Sequence, residues 1–191
     1  MNGKSKSQLP PDCSIKTRIR DIYVRQLTAE DLSRASEIDV SESGEVVYKS
    51  TDSGIHPEKE SWTRPSWDTR QWKHNIDRWA TRMRWDVMLG AFCGERLVGL
   101  ASLRYTLAEH TAQIVSLHVS RDYRRQGIAT RLAEELIRLA HENGARRLYV
   151  SATPSESAVG FYLSQGFVPT SHVNKELFGL EPEDIHMMRT L

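Results

Sequence analysis

The chain has 191 residues, the size of one ordinary domain, and its 26 lysines and arginines against 25 aspartates and glutamates leave a net charge near +1. That balance gives no broad electrostatic reason to expect nucleic acid or an anionic membrane as a partner. The two cysteines, Cys13 and Cys93, are far apart and at no metal-ligand spacing with a histidine or with each other. This argues against a structural zinc site and a disulfide framework, and fits a reducing compartment.

Residues 1–20 carry some positive charge but no apolar run, so they read as a disordered leader rather than a secretory signal. No stretch approaches the roughly 20 apolar residues that cross a bilayer, and the expectation is a cytoplasmic protein without a membrane partner. The remainder, 21–191, is expected to be one domain. Residues 21–27 alternate around Ile22 and Val24 and predict a strand with one buried face. Thr28 then stands as an N-cap for a short helix with Leu32, Ala35 and Ile38 at helical spacing.

Residues 41–67 are rich in Ser, Gly, Pro and charge, with Tyr48, His56, Trp62 and Trp67 scattered without a period, which predicts a long substrate-side loop or broken helix. Over residues 68–85, Trp72, Ile76, Trp79 and Met83 fall at i, i+4, i+7 and i+11, the core-facing stripe of an amphipathic helix. Two apolar runs, 86–93 and 96–105, flank Gly94 and Glu95 and predict a hairpin. A β-rich run follows at 111–120.

From Gly127 the period changes, and Ile128, Leu132, Leu136 and Leu139 predict a helix that stops at Asn143 and Gly144. Strands at 148–152, 166–170 and 185–191 and a helix at 155–164 complete the pattern. The order implies a mixed α/β fold with a parallel crossover between the strand ending near Ser120 and the one beginning near Leu148.

The turn RDYRRQG, residues 121–127, feeds a basic, glycine-bearing segment into a helix start. The first amides of a helix lack intrahelical acceptors and carry the positive end of the macrodipole, so such a turn can hold an anion. Arg121, Arg124, Arg125 and Arg131 add positive charge around it. A solvated turn has the same composition, and the spacings of a Walker loop and of a Rossmann turn are both absent.

Residues 124–129, R-R-Q-G-I-A, resemble the R/Q-x-x-G-x-G/A motif of the GNAT acetyltransferases, following L-x-V at Leu117, His118 and Val119. Residues 157–167, from S-A-V-G-F-Y to G-F, resemble that family's A-x-x-F-Y…G-F signature. The resemblance spans roughly residues 22–191. It implies a GNAT-like mixed central sheet flanked by helices, with a splayed pair of parallel strands and acetyl-CoA as co-substrate, without a metal. Leu117, His118 and Val119 would meet pantetheine by strand-like hydrogen bonding, and an amide near Leu117 would stabilise the oxyanion. Arg124, Arg125, Gln126, Gly127, Ile128, Ala129 and Thr130 would hold the pyrophosphate, with Arg124 alternatively pinning the loop.

Tyr162 matches the family's general acid for the departing thiolate. Ser155 stands where many relatives carry asparagine, and either touches pantetheine or caps a helix. Gln113 replaces the glutamate that many relatives use as base, which leaves the base open among His118, Glu109, His110, Glu45 and no residue at all. His118 has a second reading as a structural residue, because alternation turns it away from Leu117 and Val119. Tyr48, Trp62 and Trp67 read either as an aromatic wall for a cationic amine or as packing. The expected activity is transfer of acetyl to a primary amine of a small molecule. The alternatives are a peptide N-terminal acetyltransferase and a non-catalytic acyl-CoA sensor; a homodimer is compatible with the resemblance.

Overall fold

The computed structural model describes residues 21–51 and 54–191. The expected leader, with Cys13, and the acidic residue Asp52 lie outside them.

Strand β1 (Ile22–Gln26) comes first. A 3-10 turn, Asp31–Glu37, follows where an α-helix capped by Thr28 was expected. The reason is local: the Thr28 amide and hydroxyl both donate to Asp31 Oδ2, at 2.8 and 2.9 Å, so the hydroxyl is not free to cap helix amides, and the Thr28 carbonyl accepts from the Asp31 amide at 3.1 Å in a tight three-residue turn. Arg25 Nη1 donates to the same carboxylate at 2.6 Å. The Arg25 hydrogen bond, then those of Thr28, hold the Asp31 carboxyl well below the usual range.

Residues 41–67, expected as a loop, are instead mostly a hairpin: β2 (Glu42–Thr51) pairs antiparallel with β3 (Gly54–Arg64), from Glu42↔Arg64 to Thr51↔Gly54. β3 is largely exposed, and the half-buried face of β2 carries Glu42 and Gly44 beside Val46 and Tyr48, so the sequence shows no apolar period of two. Helix α1 (Thr69–Arg78) starts at a reciprocal capping box between Asp68 and Gln71 and runs into a π-helical turn, Trp79–Met83, closed by Arg84 at φ 57°. The stripe read from the sequence is the buried one: Trp72, Ile76, Trp79 and Met83 all face the core.

Next come β4 (Val87–Cys93), β5 (Arg96–Ala108) and β6 (Thr111–Val119), then α2 (Ile128–Glu142), β7 (Arg147–Ala152), α3 (Glu156–Ser164) and β8 (Val168–Pro169). A short helix missed in the sequence, α4 (Lys175–Leu180), is capped by Asn174, whose Oδ1 accepts from the Leu177 amide at 3.1 Å. β9 (Ile185–Thr190) closes the chain.

Seven strands form one sheet in the order β1-β4-β5-β6-β7-β9-β8, in which β6 and β7 are parallel. β4 is buried along its whole length because helices cover one face and α1 with its π-turn the other. On one face α2 inserts Leu132 and Leu136, each fully buried, against Ala101, Leu103 and Leu148. Each such leucine contributes about 1.5–3 kcal/mol. On the other face Trp72, Trp79, Met83 and Leu177 pack on Phe92, Leu100 and Tyr149.

Candidate functional site

Two irregularities in β6 open the sheet. Ser102 pairs with Ser116 but Leu103 with Ile114, so Val115 is an extra residue, a β-bulge. Pairing to β7 ends at almost the same place: Thr111↔Arg147 through Ile114↔Val150 are parallel partners, and residues 115–119 have none on β7. On its other edge β7 pairs with β9 throughout, from Arg147↔Thr190 to Ala152↔Ile185, so Ser151 and Ala152 are held by β9 alone. The two parallel strands therefore splay, leaving a wedge whose β6 wall still pairs with β5 through Ala101↔Leu117, Leu100↔His118 and Gly99↔Val119. A backbone edge of this kind accepts an extended ligand as an added strand.

The bulge also resets which side chains face which layer. Ala112 and Ile114 sit in the α2-side core, and after Val115 it is Leu117 and Val119 that do so. His118 consequently turns to the opposite face, among Trp67, Trp72 and Trp79, with ring centroids 5.2, 5.6 and 5.4 Å away. Burial, then the charges of Arg64 and Arg124, push its imidazole down to about 3. It stays neutral and is too weak a base for an ammonium near neutral pH.

At the mouth of the wedge the chain turns through residues 121–127 into α2. Arg125 has φ 60° and Gly127, the N-cap, φ 79°, two left-handed residues on either side of Gln126. Gly127 offers no side chain to cap the helix. The first amides of α2, at Ile128, Ala129 and Thr130, thus begin the helix without a side-chain acceptor. Arg124 pins this turn: its Nε donates to the Val119 carbonyl at 3.1 Å and its Nη1 lies 3.7 Å from Glu42. Gln126 Nε2 donates to the Asp122 carbonyl at 3.0 Å. Arg131 turns away from the mouth and donates to the Ile22 carbonyl of β1.

Across the wedge, Ser155 caps α3 by accepting from the Ala158 amide at 3.3 Å. Tyr162, about two turns further in the same helix, is 7% exposed and packs edge-on against Phe161 and Phe167. Burial first, then the charge of Asp184, raise its phenol above the usual value, so it remains protonated.

The β2–β3 hairpin is seated on this same end. The Tyr48 amide donates to the Pro154 carbonyl at 2.7 Å and Val47 bridges to Ser155. Glu42 accepts from Arg64 at 2.8 Å and from the Ser157 hydroxyl of α3. The three aromatics read as a wall or as packing turn out to pack: Trp62 Nε1 donates to the Val46 carbonyl within the hairpin, Tyr48 lies against the main core, and Trp67 joins the Trp72–Trp79 group.

Among the acids of that segment, Glu42 is taken up by Arg64, Glu45 accepts from Ser61, and Glu58 and Glu60 are exposed; they form no common site. Glu109 and His110 sit in the β5–β6 turn, at the end of β6 remote from the wedge. Gln113 is buried, and its Oε1 has no partner among the described residues.

One group escaped the sequence reading. Arg78 of α1 donates to Glu181 Oε1 at 3.2 Å and to the Leu180 carbonyl at 3.4 Å, and the Asp184 amide donates to the Glu181 carbonyl at 3.2 Å. Burial first, then the neighbouring Glu181 charge, push the Asp184 carboxyl up to about 7, with Arg78 opposing. Glu181 is likewise raised, by burial against the pull of Arg78. No sequence motif marks these residues; they meet only because 103 positions of chain fold back between Arg78 and Glu181. No group of three or more His, Cys, Asp or Glu among the described residues is arranged to hold a metal. No helix among them is long and apolar enough to cross a membrane.

Comparison with known proteins agrees with this geometry. No curated protein matches the chain. Among solved structures, a nourseothricin acetyltransferase superposes with a TM-score of 0.67 at 16% identity, covering 89% of this chain and 98% of that one. A putative streptothricin acetyltransferase from Bacillus anthracis str. Ames, solved in complex with acetyl coenzyme A, gives 0.68 at 18% identity, with 89% and 98% covered. The ribosomal-protein-S18-alanine N-acetyltransferase from Escherichia coli gives 0.55 at 18% identity over 88% and 93%. At these identities the likeness shows the fold. The model of the acetyltransferase (GNAT) family matches residues 52–167, more than half of the sequence. By that match, the chain belongs to the GNAT acetyltransferase family.

Proposed function

We propose that the protein transfers the acetyl group of acetyl-CoA to a primary amine of a small molecule, by direct attack in a ternary complex. The observation that carries this reading is the wedge: β6 loses β7 after Ile114, next to a helix start whose amides are uncapped. A pantetheine arm lies along residues 117–119 as an added strand, and its pyrophosphate meets the turn at residues 124–130. An amide near Leu117 faces the thioester oxygen and stabilises the tetrahedral intermediate. Tyr162 gives its proton to the departing thiolate, which suits a phenol that stays protonated.

A small acceptor is supported by the hairpin seated over the start of α3, which narrows access on that side. It is also the acceptor class named for the two neighbours with TM-scores of 0.67 and 0.68. The test is release of CoA thiol with spermidine, L-lysine, streptothricin and an alanine-initiated hexapeptide as acceptors. Turnover of one of the first three supports the reading, and turnover of the hexapeptide alone replaces it with peptide acetylation. Tyr162→Phe is expected to lower kcat at least tenfold while leaving acetyl-CoA affinity within threefold. Absence of turnover by the unaltered enzyme with all four acceptors, with acetyl-CoA still protecting it from heat, identifies a sensor instead.

A further inference from the structure

An acceptor amine is protonated near neutral pH and must lose a proton before it can attack a thioester. The base positions suggested by the sequence do not serve. Gln113 carries no proton-accepting group of useful strength, His118 is locked among three tryptophan rings, Glu109 and His110 sit at the wrong end of β6, and Glu45 is an exposed hairpin residue.

Asp184 immediately precedes β9, whose first residue, Ile185, pairs with Ala152, the last residue of β7. That is the end of β7 from which β6 has departed, so Asp184 stands at the open end of the wedge. Its charge reaches Tyr162 from α3, while Glu181 lies beside it and Arg78 reaches the pair from α1. The group is thus assembled from the elements that surround the wedge. Beside it on β9, His186 is 7% exposed; its Nδ1 lies 2.8 Å from the Tyr149 hydroxyl and 3.5 Å from Ser151 Oγ, and its Nε2 has no partner among the described residues. A buried nitrogen left unpaired is expensive unless a ligand meets it.

We propose that Asp184, paired with Glu181 and anchored by Arg78, is the catalytic base that takes the proton from a cationic amine entering the wedge. The proposal rests on the acetyltransferase reading above. When both are ionised, two carboxylates against one arginine leave one negative charge to attract the ammonium. One N–H proton passes to Asp184, and the neutral nitrogen attacks the thioester carbon. The C–S bond breaks as the carbonyl reforms, and the thiolate takes the proton of Tyr162. The second N–H proton lost from the attacking nitrogen returns through water to the Tyr162 phenolate, and Asp184 gives up its proton to solvent. Amide, free CoA thiol and one proton result. The titratable groups whose charge bears on Asp184 are Glu181, Arg78 and Tyr162, with His186 two residues along β9; Glu181 and Tyr162 shift in the same direction with burial.

The experiment is a pH–rate profile of kcat/KM, from pH 5.5 to 10, for the unaltered enzyme and Asp184→Asn, using the best acceptor among spermidine, L-lysine and streptothricin. The unaltered enzyme is expected to lose activity below a midpoint near the raised Asp184 value. Asp184→Asn is expected to fall at least a hundredfold at pH 7 and to recover with rising pH toward the amine's own pKa, because free amine then supplies itself. Acetyl-CoA protection in a thermal-shift assay must survive in Asp184→Asn, and Asp184→Glu must restore part of the pH 7 rate. An Asp184→Asn enzyme within threefold of the unaltered one at pH 7, with the same acid limb, overturns the proposal and leaves the acetyltransferase reading intact. Lack of turnover by the unaltered enzyme overturns both.

Discussion

The raised Asp184 carboxyl has a consequence for stability that needs no substrate. Its value moves from 3.8 to about 7 on folding, and each tenfold change in proton affinity corresponds to about 1.36 kcal/mol. Because the folded-state value is the higher one, the folded chain binds the proton more tightly than the unfolded chain. The contribution is present below about pH 4 and is lost as the pH climbs through about 7. The full shift corresponds to about 4 kcal/mol, and solvent screening of a half-buried carboxyl reduces this to about 2 kcal/mol. Asp184→Asn removes the titration while keeping an amide that can donate to Glu181. Urea unfolding at pH 4 should find the two proteins within about 0.5 kcal/mol, and at pH 8 the variant should be more stable by about 2 kcal/mol. A residual slope from Glu181, raised in the same sense, should persist in both. A variant less stable than the parent at pH 8, or a difference that does not change with pH, would refute the reasoning.

Other substitutions probe the parts around the wedge. Gly127→Ala places a side chain at φ 79°, which should cost about 1–2 kcal/mol in a urea melt and weaken acetyl-CoA binding in a calorimetric titration. Trp72→Ala empties a site that is 1% exposed and should destabilise by about 3–5 kcal/mol, read as a lowered urea midpoint. Glu42→Ala strips Arg64 and Ser157 of their shared acceptor, so trypsin should cut at Lys59 and Arg64 several times faster, with a smaller change in the global melt.

The parts of this protein legible in the sequence are those whose signal is local or periodic. The stripe at Trp72, Ile76, Trp79 and Met83 is read directly because a helix buries residues three and four apart, and those side chains are buried. The start of α2 is read from Gly127 and the change of period after it. The β2–β3 hairpin is not legible, because β3 is mostly exposed and the half-buried face of β2 mixes Glu42 and Gly44 with Val46 and Tyr48, which leaves no apolar alternation. α4 is six residues long and too short to display a helical period.

The sequence by itself determined the fold class, the family motifs and the glycine that opens a helix toward an anion, since each depends on neighbours in the chain. Alternation alone sets His118 opposite Leu117 and Val119, but only the tertiary structure decided which layer it meets, because one extra residue at Val115 inverts the alternation relative to Ala112 and Ile114. It alone decided that Arg78, Glu181 and Asp184 share one corner of the wedge. The physical reason is that a carboxyl's proton affinity depends on burial and on charges brought near in space, and no spacing along the chain encodes either.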